Sequence, residues 1–66
     1  MKVHFDEKLD ALYFHLDDSK IVESEEIQPG IIFDFNDQNQ VVGIEIIQVR
    51  TRIPHANFKK IELEVS

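Results

Sequence analysis

The sequence has no cysteine and no tryptophan, only two glycines and two prolines, and seven basic residues against thirteen acidic ones. Without cysteine there is neither a disulfide nor a thiolate nucleophile, and the composition fits a reducing cytosol. With only Gly30 and Gly43, no glycine-rich phosphate loop can be assembled. Ser19, Ser24 and Ser66 stand in polar contexts without a Gly-x-Ser-x-Gly turn. No apolar run approaches the roughly 18 residues of a membrane span. The opening "MKVHFDEKLD" turns acidic before an apolar signal segment can form. A net charge of −6 opposes attraction to nucleic acid or anionic lipid. A cytoplasmic, noncatalytic protein without cofactor or metal is the expectation.

What remains is a chain of 66 residues, 42% hydrophobic and 30% charged, which is enough for one folded domain over residues 1–66. Small chains usually need a disulfide, a metal or a partner for stability, and contact with a partner is the supplement expected here. Charge is unevenly spread. Residues 1–49 hold three basic and eleven acidic side chains, whereas residues 50–66 hold four basic and two acidic ones. That tail could rest in solvent or meet an acidic neighbour such as a second copy.

Alternation dominates the chain, and helical periodicity is almost absent. "KVHF" puts Val3 and Phe5 on one side of a strand, with Lys2 and His4 on the other. "ALYFHL" puts Leu12, Phe14 and Leu16 on one side and Ala11, Tyr13 and His15 opposite. A hairpin pairing Phe5 with Leu12 also pairs Val3 with Phe14, so both apolar stripes share a face. "SKIVESEEIQPG" reads as an edge-like strand over about 20–28, blunted by Glu23, Glu25 and Glu26 and stopped by Pro29-Gly30. "IIFDF" and "VVGIEIIQV" flank "NDQNQ" as a hairpin; pairing Phe35 with Gln40 sets Phe33 against Val42 and Ile31 against Ile44. Gly43, inside a strand, points to a bulge or a close backbone approach.

Beyond Val49, Pro54 rules out a central strand and leaves a loop or a short helical turn near residues 53–58. "KKIELEVS" then resumes alternation as a sixth strand. The expected fold is mainly β, with a β-rich α+β fold as the alternative: an antiparallel meander of about six strands and at most one short helix. Tyr13, Ile32, Val41, Ile47 and Val49 fall on the face opposite the proposed core, so that face is not wholly polar. A single uncovered sheet of this size buries too little apolar surface to offset its ordering entropy. Packing on a second copy or another protein would answer this, and a half-barrel closed by the last strand is the monomeric alternative.

The segments "FDEKLDALYFHL" and "EIQPGIIFDFNDQNQVVGIEII" resemble, in order and separation, a family of short prokaryotic proteins catalogued as domain of unknown function 2283. The matching elements are Phe5-Asp6, Asp10 to Tyr13, Pro29 to Ile31, Asp34-Phe35 and Val42 to Ile46. The resemblance implies a small, mostly β domain with no assigned activity. It also implies an antitoxin candidate, since some relatives are encoded beside small toxin-like proteins. The family often has Asp-Gly in the hairpin before Val-Gly-Ile-Glu, where this chain has Gln38-Asn39. Asn tolerates positive φ, so the turn should survive.

Three constellations could carry chemistry, and each has a simpler role. Asp6, Glu7 and Asp10 could hold a hard cation, but they lack the glycine and terminal Glu of an EF-hand and suit a capped turn. His4, His15 and His55 lack zinc-enzyme spacing and suit a surface or interface. Asp34 and Glu45 could form an acid pair, yet their offset of four residues suits solubility or a salt bridge to Arg50, Arg52 or a lysine. The expected function is a protein-interaction module, self-associating as a homodimer or other homo-oligomer. Its contact surface would comprise Tyr13, His15, Ile32, Glu45, Ile47 and Val49. One alternative is an antitoxin-like protein whose acidic surface neutralises a basic RNase-like toxin. Another is a metal-dependent hydrolase using Asp6, Asp10 and histidines.

Overall fold

The computed structural model describes residues 1–66. Five strands, β1 (Lys2–Asp6), β2 (Ala11–His15), β3 (Glu23–Gln28), β4 (Ile31–Phe35) and β5 (Val41–Ile47), precede a one-turn helix α1 (Val49–Arg52). All strand pairs are antiparallel in one sheet, as a mainly β fold requires, but the spatial order is β1-β2-β5-β4-β3. This is not a sequential meander. Residues 16–22 carry the chain past the ends of β5 and β4 to the far edge, held where Leu16 N donates to Val42 O (2.8 Å) and Val22 N to Phe35 O (2.9 Å). The last four strands therefore form a Greek key. Within the connection, Asp17 accepts hydrogen bonds from the hydroxyl and N–H of Ser19, which hold its carboxyl below the usual range.

The first hairpin has the expected register, with Phe5 opposite Leu12 and Val3 opposite Phe14. Asp6 punctuates its turn by accepting from Lys8 N and Leu9 N at 3.0 Å each. The β4–β5 register differs: Phe33 pairs with Ile44 and Ile31 with Ile46, with a bulge between Asp34 and Phe35. The loop contributes one residue of this shift, since Phe35 pairs with Val41 instead of Gln40, and the bulge contributes the second. Asn36 Oδ1 accepts from Gln38 N and Gln40 N, and Asn39 takes φ 60 in the left-handed region, so the turn without glycine closes on asparagines. Because the shift at Ile31 and Phe33 is even, the apolar stripe keeps its face.

Pro29-Gly30 joins β3 to β4 with the type II signature, and Gly30 has the required positive φ of 82. Such a turn does not share the twist of its strands, and the register slips next to it between Glu26 and Gln28. A Cβ at Gly30 would collide with the Arg52 guanidinium, which donates to Pro29 O and, through Nε, to Ile47 O (2.9 Å).

The helix forms at Val49–Arg52, upstream of the expected 53–58, because its start is capped by a residue distant in sequence. Gln48, at the N-cap position, makes no side-chain cap bond. Instead Asp10 Oδ1 accepts from Arg50 N (3.1 Å) and Arg50 Nε (2.8 Å), and Asp10 O accepts from Val49 N (3.1 Å). Pro54 then disfavours helical backbone at Ile53, and α1 stops after one turn. The sixth strand does not form: residues 59–66 lie outside every ladder, and no backbone hydrogen bond joins residues 61–66 to the sheet. The five strands and one short helix agree with the expected mainly β fold of about six strands.

The core is slight. Only seven residues are buried, and the apolar ones among them are Ala11, Val42 and Val49. Compact proteins of this mass expose about 4,300 Å², whereas this 7.7 kDa chain exposes 5391 Å².

Replacing Asp10 with Ala should lower unfolding stability by roughly 1–2 kcal/mol, since it removes the helix cap together with the Arg50 pair. Urea denaturation would read this as a lower midpoint at constant slope, and an unchanged midpoint would show that the cap contributes nothing.

Candidate functional site

Strand alternation gives the sheet two faces of different chemistry. On one face, successive cross-strand partners form the row His4, Tyr13, Glu45 and Ile32, beside the row Lys2, His15, Gly43, Asp34 and Ser24. Tyr13 and Asp34 belong to β2 and β4, with β5 running between them. They meet above Gly43, where the Tyr13 hydroxyl donates to Asp34 Oδ2 at 3.0 Å, and Ser24 Oγ donates to Asp34 Oδ1 at 2.5 Å. A Cβ at Gly43 would lie 2.5 Å from the Tyr13 oxygen and 2.8 Å from Asp34 Oδ2. Both readings of a glycine inside a strand hold here. The bulge lies in β5 itself, where Val42 is the extra residue between the pairs Gly43–Asp34 and Val41–Phe35, and the close approach is that of a hydrogen bond laid over bare backbone.

Asp34 opposes Gly43, which puts it two residues from Glu45 instead of the expected four, and it is 8% exposed. Its partners are Tyr13 and Ser24, and the acid that pairs with Arg50 is Asp10. Burial pushes the Tyr13 phenol above its usual pKa of 10.0, and the bond to Asp34 and the charges of Asp34 and Glu45 act in the same direction. Tyr13, Ile32, Glu45 and Ile47 are brought onto this one face, half-buried. His15 joins them with its ring edge-on to Tyr13 at 6.0 Å. Its Nε2 lies 3.4 Å from Asp18 Oδ1, out of line for a hydrogen bond. Val49 does not belong to the surface: it is 0% exposed, enclosed where α1 docks on the first hairpin, and so cannot meet a partner. His4 and His55 are exposed, and no three His, Asp or Glu residues converge as cation ligands.

The opposite face carries the stripe expected to be core. Val3, Phe5, Leu12, Phe14, Ile31, Phe33, Ile44 and Ile46 share it, and every one is only half-buried. The tail touches it at one side: the Phe58 ring stacks on Phe5 at 5.0 Å, and Ile61 overhangs Val3, Leu12 and Phe14 above a hollow of about 230 Å³. Two features of this region were invisible to sequence reasoning, the Ser24 bond to Asp34 and the arginines of α1 reaching back to the turns. Gly43 signals only the approach of Tyr13 and Asp34 above it, and nothing local signals the Ser24 bond or the arginine contacts.

The Tyr13 bond sets a pH dependence. The fold favours the neutral phenol, so the folded chain keeps its proton above the pH at which an unfolded tyrosine loses it. The contribution is whole below about pH 10 and is lost as pH rises through the folded value. Tyr13→Phe should therefore cost about 1 kcal/mol at neutral pH and flatten the loss of stability above pH ~10. Melting curves from pH 7 to 11 check both, and an alkaline decline equally steep in the variant would remove Tyr13 as its source.

No helix is long and apolar enough to cross a membrane. A family model described as "Protein of unknown function (DUF2283)" matches residues 2–50, which run from β1 to the start of α1 and include both sheet faces. No curated protein and no solved structure matches the chain. With that sheet inside the matched span and the tail beyond it, the chain belongs to the DUF2283 family.

Proposed function

We propose that this chain is a noncatalytic protein-interaction module that self-associates through the face bearing Phe33 and Ile44. One observation carries the reading: about 1,000 Å² more surface is exposed than a compact chain of this mass presents, and an eight-residue apolar stripe is open on one side of a single sheet. A standard interface takes about 800 Å² from each partner. A second copy laid on the stripe would turn one sheet into a two-layer sandwich, the arrangement in which an antiparallel sheet buries its apolar side.

What favours this face over the one around Tyr13 is the way polar groups are used. Tyr13, Ser24 and Asp34 satisfy one another within the chain, and Glu45, His4 and Lys2 beside them would have to be stripped of water. The Phe33 stripe itself is all hydrocarbon, and the charged groups of its face, Glu23 and Glu25, lie at its β3 border. Light scattering at micromolar concentration should give twice the chain mass, and Phe33→Asp or Ile44→Asp should return a folded monomer. A wild-type chain that is monomeric and fully folded there would overturn the proposal.

A second reading has its own support. The edge strand β3 is exposed along its whole length and carries Glu23, Glu25 and Glu26, a surface suited to a basic protein such as an RNase-like toxin. Association with such a protein from the neighbouring reading frame should weaken about tenfold or more when these three are changed to Gln, and weaken again with added salt. Binding indifferent to both changes would dispose of the reading.

A further inference from the structure

Residues 60–65 alternate like a strand yet pair with nothing, while β1 is a sheet edge whose outer backbone groups lack a neighbour. We infer that residues 60–65 of one copy add as a sixth strand to the β1 edge of a second copy, reciprocally in a two-fold dimer. The inference rests on the self-association proposed above and names one contact within it.

The register carries the argument. Laid antiparallel along β1 with Leu63 opposite Val3, the segment sets Ile61 opposite Phe5 and Val65 opposite Met1, all on the apolar face. On the other face, Lys60 falls opposite Asp6, Glu62 opposite His4 and Glu64 opposite Lys2. Apolar meets apolar and acid meets base along the whole segment, and cross-strand pairs of both kinds stabilise a ladder. The other free edge gives no such match. On β3, the positions sharing the Phe33 face are Glu23 and Glu25, so Ile61, Leu63 and Val65 would lie beside carboxylates.

The donor is a second copy because the chain's own tail is held out of this register. Phe58 is stacked on Phe5, and Ile61 lines a hollow with Val3, Leu12 and Phe14, so the tail lies over the apolar face instead of beside the β1 edge. A partner's tail has no such tether. Strand addition of this kind takes affinity from main-chain hydrogen bonds and specificity from alternate side chains.

The absence of cysteine makes a direct test available. Opposed positions of an antiparallel pair place Cβ atoms within disulfide range. Chains carrying Val3→Cys and chains carrying Leu63→Cys, mixed and oxidised, should give a disulfide-linked species of twice the chain mass as the main product, with neither variant doing so alone. His4→Cys with Glu62→Cys is the second pair, should the first perturb folding. A cross-link that forms only when both substitutions are in one chain, leaving a monomer, would place the strand in cis and overturn the inference, as would cross-linking by either variant alone. A wild-type dimer by light scattering with no cross-link from either pair would defeat this contact and leave self-association standing. A wild-type monomer would defeat both.

Discussion

A five-stranded sheet has two sides to cover, and 66 residues supply the sheet without supplying the cover. This constraint governs the rest of the molecule. The shortest dimension of the protein is 20 Å, the depth of one layer with its side chains and a fragment of tail. Packed sheets stand about 10 Å apart, so a second layer is what the chain lacks. One face responds by becoming self-sufficient. Tyr13, Asp34 and Ser24 bond to one another over Gly43, and a hydrogen-bonded polar face can stay wet without loss. The other face has no such recourse, because hydrocarbon has no internal partner except more hydrocarbon.

The backbone compensates at one end of the sheet. The turns joining β1 to β2 and β3 to β4 lie far apart in sequence, and the one-turn helix after β5 draws both together. Arg50 reaches Asp10 and Glu7 O in the first turn, and Arg52 reaches Pro29 O in the second. Arg50 also sits over the Phe5 ring at 5.8 Å. These bonds are partly exposed, and each alone would contribute little. Their value lies in position: Asp10 serves as helix cap, ion-pair partner and backbone acceptor at once, so the helix cannot shift without disturbing the first hairpin. Two of the four basic residues in the positive tail segment are thereby tied to the turns, and a third, Lys60, pairs locally with Glu62 at 3.1 Å.

Legibility in the sequence followed the range of the forces involved. The first hairpin register, the edge character of Glu23–Gln28, the turn at Asn36–Gln40 and the anomaly at Gly43 rest on alternation and local side-chain bonding, and all were readable. The two-residue shift of β4 on β5 was not, because alternation fixes the face of a strand and leaves shifts of two residues open. The strand order was also hidden, since nothing in residues 16–22 states that β2 prefers β5 to β3 as its neighbour. The helix was displaced from its expected place for a similar reason: its cap is Asp10, forty residues away. "KKIELEVS" had the pattern of a strand, but pattern specifies a face and not a partner.

The two open edges differ in a way that bears on how far assembly can go. β3 carries three carboxylates in six residues, a charge density that discourages another strand from pairing there. β1 carries Val3 and Phe5 between Lys2, His4 and Asp6, a mixed pattern that admits a strand of complementary charge. A sheet open at both edges is free to grow by edge pairing, whereas charge along one edge removes that route there. A net charge of −6 per chain acts in the same direction by penalising every further copy. The acidic composition, which names no substrate, therefore has a physical reading: its carboxylates keep β3 from pairing edge to edge, while the apolar stripe carries no charge of its own.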